Sequence, residues 1–234
     1  MQGSDQQAYD RGTTIFSPDG RLYQVEYARE AVKQGAPVVG VRGAESVVLA
    51  SHSPRRSPLV EPGSVEKLFA VDGHVAIGSA GHAADTRRLV DLARRRAQDE
   101  RLRYDEPVTV DALATHLADH LQEYTQTGGA RPYGTALMVA GYDDAPRLVE
   151  IDPSGATRQW RADAVGAGAS DALDQFEEEY DSGLTEGEAL SLALRGLETT
   201  VDEFGIDEVD AGVVTEAGYE TAAQERLQTV FENE

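Results

Sequence analysis

YDRGTTIFSPDGRLYQVEYAREA, residues 9–31, divides into parts with different physical demands. The lead-in from Tyr9 to Gly12 is polar, whereas Thr13 to Phe16 is β-branched and aromatic, hence extended. Ser17-Pro18-Asp19-Gly20 puts proline second and glycine fourth, the chemistry of a type I turn. From there Leu22, Val25, Ala28 and Val32 recur every three or four residues until Gly35 and Pro37 supply a stop. That spacing predicts an amphipathic helix over 22–34. An arm over 1–12, short, polar and expected to be mobile, a fixed turn and a helix therefore precede everything else.

Beyond this entry segment the chain alternates strand groups with helix pairs. Apolar runs at 37–41 and 46–51 flank a turn at Gly43-Ala44-Glu45, and runs at 67–71 and 74–79 flank Asp72-Gly73, a strong two-residue hairpin signal. The intervening 51–63 is rich in proline and serine and reads as a surface loop. Helices are predicted over 83–102, where Leu89, Ala93 and Ala97 form a stripe before Pro107, and over 109–125, where Leu113, Leu117 and Leu121 do. Strands follow at 135–140, 147–151, 157–161 and 164–167. A second helix pair is expected at 171–180 and 185–204, the latter opened by the capping box Thr185-x-x-Glu188, then a strand at 208–214 and a helix at 222–231. No low-complexity linker divides the 234 residues, so one domain is expected. Hairpin-rich sheets packed face to face, with helix pairs on their outer faces, give an α+β sandwich of four layers, helix-sheet-sheet-helix, over 37–234.

Composition narrows the function classes. With 42 acidic and 21 basic side chains the net charge is −21, which disfavours a nucleic-acid partner. Lys33 and Lys67 are the only lysines. Such acidity suits high salt, where the screening length falls to ~3 Å at 1 M and self-repulsion is muted. The absence of cysteine removes disulfides and thiolate chemistry. No apolar run approaches the ~20 residues that span a bilayer and the N-terminus has no signal-like segment, so no membrane partner and a cytoplasmic location are expected.

Residues 9–31 closely resemble the N-terminal signature of archaeal proteasome alpha-type subunits. Further stretches resemble the same family: GSVEKLF at 63–69, GHAADTRRLVDLAR at 81–94, YTQTGGARPYGTALMVAG at 124–141 and DPSG at 152–155. The resemblance implies the N-terminal nucleophile hydrolase-like sandwich and a non-catalytic subunit of the core particle's outer heptameric ring, one that gates substrate entry. Implied partners are copies of itself or other alpha-type chains, the beta subunits that carry out threonine-type proteolysis, an AAA+ ATPase regulator and unfolded protein substrates; no cofactor is implied. The positions similar to the family's gate are Tyr9, Asp10, Pro18 and Tyr27, and those similar to its ATPase-tail pocket are Lys67 and Gly81. The helix over 22–33 is expected at ring contacts. Within 51–57 the family commonly carries a charged segment after an aspartate, and Ser51-His52-Ser53-Pro54-Arg55-Arg56-Ser57 departs from it.

The alternative is a catalytic beta-like threonine peptidase or an independent hydrolase of the same superfamily. Gly12-Thr13-Thr14 resembles the junction at which beta-type relatives expose a threonine nucleophile. Counted from Thr13, however, the places of their aspartate and lysine hold Arg29 and Glu45. His116 and His120 stand one helical turn apart around Asp119, like a shortened H-x-x-E-H zinc motif, but no third ligand suggests itself and a helix flank is the better account. Gly166-Ala167-Gly168 hints at a dinucleotide turn, but the third glycine position is Asp171; a tight strand-to-helix turn is expected instead. No catalytic residue and no metal ligand is assigned.

Overall fold

The computed structural model describes residues 16–54, 57, 59–61 and 64–232. The expected arm over 1–12, with Tyr9 and Asp10, and the Gly12-Thr13-Thr14 junction lie outside the described residues.

After the entry turn come α1 (Tyr23–Lys33), β1 (Val38–Arg42), β2 (Ser46–His52), β3 (Leu68–Asp72) and β4 (Val75–Gly81). Then follow α2 (Ala83–Tyr104), α3 (Val110–Gln126), β5 (Thr135–Tyr142), β6 (Pro146–Ile151), β7 (Thr157–Gln159) and β8 (Ala162–Val165). The chain closes with α4 (Ala169–Glu179), α5 (Glu186–Thr199), β9 (Val209–Thr215), β10 (Gly218–Thr221) and α6 (Gln224–Glu232). The strands form two five-stranded antiparallel sheets, ordered β10-β9-β2-β1-β8 and β3-β4-β5-β6-β7.

Each sheet is covered on both faces, which is why its central strands read as continuous apolar runs. In β2, Val47 and Leu49 point between the sheets with Val38, Met138 and Leu148. Its alternate residues Val48 and Ala50 pack under Leu190, Leu194 and Leu197 of α5. On the other sheet Ile77, Leu137 and Val139 pack beneath Leu89 of α2 and Leu113, Leu117 and Leu121 of α3. The layers are therefore helix, sheet, sheet, helix. Among the described residues no helix is long and apolar enough to cross a membrane.

Local chemistry sets most boundaries. The Thr109 hydroxyl accepts from Ala112 N–H at α3, and the Thr185–Glu188 capping box opens α5 as predicted. Asp105, at φ 57°, turns the chain out of α2 before Pro107. Three expectations shift. α5 stops at Thr199 rather than 204, because the Thr199 and Thr200 hydroxyls donate back to Gly196 O and Leu197 O at 2.8 and 2.6 Å and β-branched Val201 follows. The strands expected at 157–161 and 164–167 are Thr157–Gln159 and Ala162–Val165, with Gly166 at φ 107° ending the second. β10, to which no sequence pattern points, adds an edge strand on which Tyr219 covers Gly212.

Candidate functional site

α1 determines where the candidate site lies. Its apolar stripe, Val25, Ala28 and Val32, is buried within this chain, with Val32 in the core between the sheets. The expectation that this helix serves ring contacts is thereby narrowed: its stripe is occupied internally, and only the opposite face, with Tyr27 at 50% exposure, is open. Arg29 fastens the helix to the turn after β6. Its Nε and Nη2 donate to Asp152 Oδ2 at 2.8 and 2.7 Å, and its Nη1 to Glu26 at 3.0 Å. Asp152 also organises its own turn by accepting from Ser154 N–H at 2.8 Å. Burial pushes the Asp152 carboxyl up, but the Ser154 hydroxyl and the Arg29 guanidinium outweigh it and hold the group below the usual aspartate range.

Ahead of the helix, Ser17 to Gly20 forms the expected turn, closed by Gly20 N–H donating to Ser17 O at 2.8 Å, with Pro18 exposed at its tip. Arg21 N–H donates to the Ser17 hydroxyl at 3.1 Å.

α1 ends at a cavity of about 490 Å³ that brings Lys67 and Gly81 together. Ala31, Gln34 and Gly35 line one wall, Ser53, Pro54, Val60 and Val65 another, and His82 and Ala83 at the start of α2 a third. Ser79 N–H donates to Lys67 O at 3.1 Å, which sets Lys67 beside the last turns of the β4 ladder. The floor is main chain. A Cβ on Gly35 would stand 2.4 Å from Gly81 N, and one on Gly81, itself at φ +115°, would stand 2.2 Å from Gly134 O, so neither position admits a side chain. Asp85, on the first turn of α2, holds the segment that leads into β5 in place. It accepts a two-pronged contact from Arg131 at 2.7 Å on each oxygen and a bond from Gly134 N–H at 2.9 Å. Burial raises the Asp85 carboxyl, yet Arg131 and the Gly134 N–H overcome it and keep the group low.

Two features at this cavity favour an anion: the Lys67 ammonium and the N-terminus of the 22-residue α2, whose first N–H groups have no side-chain cap. A carboxylate is the group the arrangement can receive. The sequence named Lys67 and Gly81 but not Gly35, Gly134, Asp85 or Arg131. The close approach of three glycines distant in sequence, and the pairing across 46 residues of Asp85 and Arg131, have no local pattern.

The other candidate sites resolve differently. His116 and His120 lie along a groove of about 950 Å³ between α2 and α3, where His120 Nε2 is 3.1 Å from Tyr133 OH and its ring packs on Tyr124. Among the described residues no cluster of potential ligands could hold a metal ion. The Gly166-Ala167-Gly168 segment is a tight turn in which Ala167 N–H donates to Gly35 O at 2.8 Å.

Comparison with known proteins matches residues 9–31 to the N-terminal signature of A-type proteasome subunits and residues 32–214 to the "Proteasome subunit" family. The chain is 54% identical to the alpha 2 proteasome subunit of Haloarcula marismortui over 92% of its own length and 88% of the relative's. It is 55% identical to the alpha proteasome subunit of Halobacterium salinarum, covering 92% and 86%, and 50% identical to that of Haloquadratum walsbyi, covering 100% and 96%.

Proposed function

We propose, from the premise that this chain belongs to the proteasome subunit family as an alpha-type member of halophilic archaeal kind, that it builds the outer ring of a core particle and controls entry to it. In this role the chain, folded as one domain, carries no nucleophile of its own. It assembles with six like subunits, docks on beta subunits that perform threonine-type proteolysis, and acts in the cytoplasm on unfolded protein delivered by an ATPase regulator. The observation that carries the proposal is the long alpha-type signature at residues 9–31, joined to a cavity in which Lys67 and Gly81 meet. The C-terminal carboxylate of an ATPase tail fits the charge of that cavity: a compact ammonium and a helix N-terminus face it.

The gate is assigned to Tyr9, Asp10, Pro18 and Tyr27. Pro18 stands exposed in the turn before α1, and Tyr27 lies on the open face of that helix. Purified protein in molar salt should form seven-fold rings under negative-stain microscopy and should not cleave fluorogenic peptides unless beta subunits are added. A monomer, or peptide turnover by the chain alone, would overturn the proposal. Tyr9→Gly and Asp10→Ala should blunt ATPase-triggered opening in intact rings, and normal opening in both would leave the cluster without a gating role.

A further inference from the structure

The two sheets touch at Gly40, where a Cβ would lie 2.8 Å from Leu148 Cδ1 and 3.2 Å from Met138 Sδ. One strand outward from this contact, on each sheet, stands an acid. Asp163 on the edge strand β8 is the cross-strand partner of Gly40, and Glu150 on β6 is the cross-strand partner of Met138. Both acids thus occupy one level of the sandwich at its open edge. Asp163 is 2% exposed, and its Oδ2 has no hydrogen-bond partner. Glu150 Oε2, in contrast, accepts from Trp160 Nε1 at 3.0 Å and Arg158 Nη1 at 3.4 Å.

A buried carboxylate with an orphaned oxygen facing a second carboxylate is unfavourable as an anion. We propose that Asp163 is kept as a neutral carboxylic acid that seals this edge of the sandwich opposite Glu150, and that loss of its proton weakens the edge. The charged groups on the surrounding elements are few. β6 brings Glu150 and β7 Arg158; β1 brings Arg42, two residues beyond Gly40 on the same face, and Arg161, two residues before Asp163, leads into β8 beside it; of the β5 residues facing inward, Ala136, Met138 and Ala140 are apolar and Tyr142 carries a phenol. α4 packs on the opposite side of the sheet. Burial, with the Glu150 charge added, pushes the Asp163 carboxyl up to about 8.

Because the folded value lies above the ordinary 3.8, the folded chain holds a proton that the unfolded chain has released over the whole interval between them. The favourable contribution is complete below the lower value, declines as pH rises, and is gone above about 8.

The test compares urea unfolding of the full chain and of Asp163→Asn in molar potassium chloride from pH 5 to 9. Asparagine keeps the shape without the titration. The ratio of the variant's folding constant to the native one should grow about tenfold per pH unit until near pH 8 and then level. The native chain alone should also show an infrared band of a protonated carboxyl at neutral pH. A ratio independent of pH, or the absence of that band, would overturn the proposal. So would a ratio that changes when potassium is replaced by choline at constant ionic strength, since a cation would then neutralise the acid. If Asp163→Asn does not fold, Glu150→Gln decides: it should move the levelling point of the native profile to lower pH, and an unmoved profile would sink the idea.

Discussion

At the scale of single residues, the cavity at Lys67 and Gly81 separates two kinds of requirement. Gly81 is fixed by geometry: it combines φ +115° with a neighbouring carbonyl oxygen 2.2 Å from where a Cβ would stand. Gly81→Ala should therefore lower stability by at least about 2 kcal/mol in urea unfolding, whatever the ring does. Lys67 is half-buried in the lining of the cavity, and in the proposed role it acts through its charge. Lys67→Ala should leave ring formation and the unfolding midpoint nearly unchanged while abolishing ATPase-stimulated degradation; unimpaired stimulation would remove the residue from the site. The contrast is measurable in one preparation each, because one variant changes the denaturation curve and the other only the response to the ATPase.

At the scale of elements, α1 is held by its stripe on one side and by Arg29 on the other. Val25→Glu would place a charge in the core and should cost roughly 3 kcal/mol, read as loss of soluble yield rather than as clean conversion of rings to monomers. Arg29→Ala should cost about 1–2 kcal/mol, since the arginine is partly exposed but Asp152 would be left short of a partner. The Asp152 carboxyl is held low in the folded chain, so its contribution is present above the ordinary aspartate value and lost as pH falls through the folded one. Acidification toward pH 3 should hence narrow the gap between Arg29→Ala and the native chain in thermal unfolding. Elements with strong periodicity or caps, such as α3 with its leucine stripe and α5 with Thr185 and Glu188, were legible in the sequence because their signals are local. β10 was not, because four residues with one inward side chain carry almost no pattern; what places them is Tyr219 over Gly212 and its N–H bonded to Gly73 O at 2.8 Å. The same limit applies to the candidate site, where Lys67 and Gly81 came through resemblance but the Asp85–Arg131 brace required the fold.

At the scale of the whole molecule, the net charge of −21 dominates. Lowering the salt to 0.1 M stretches the screening length to ~10 Å, so carboxylates on adjoining subunits begin to feel one another. Assemblies should therefore come apart below a salt threshold, visible as a fall in sedimentation coefficient, and equal sedimentation in dilute and molar salt would assign the acidity to solubility alone. α2 departs from the general balance, with seven arginines against four acids in its 22 residues, and one of those acids, Asp85, is committed to Arg131. Local basic surface thus persists in a chain that is otherwise strongly anionic.

The main-chain floor beneath Lys67 has a bearing on how partner choice can be adjusted. Where Gly35, Gly81 and Gly134 press backbone against backbone, substitution has nothing to act upon, so the bottom of the cavity offers the same amides and carbonyls to any occupant. If the cavity receives a regulator's tail as proposed, discrimination between one tail and another falls to the side chains of its lining, Val60, Val65, Ser53 and the lysine itself. Exchanging these few lining positions between alpha-type chains should transfer regulator preference without disturbing the scaffold.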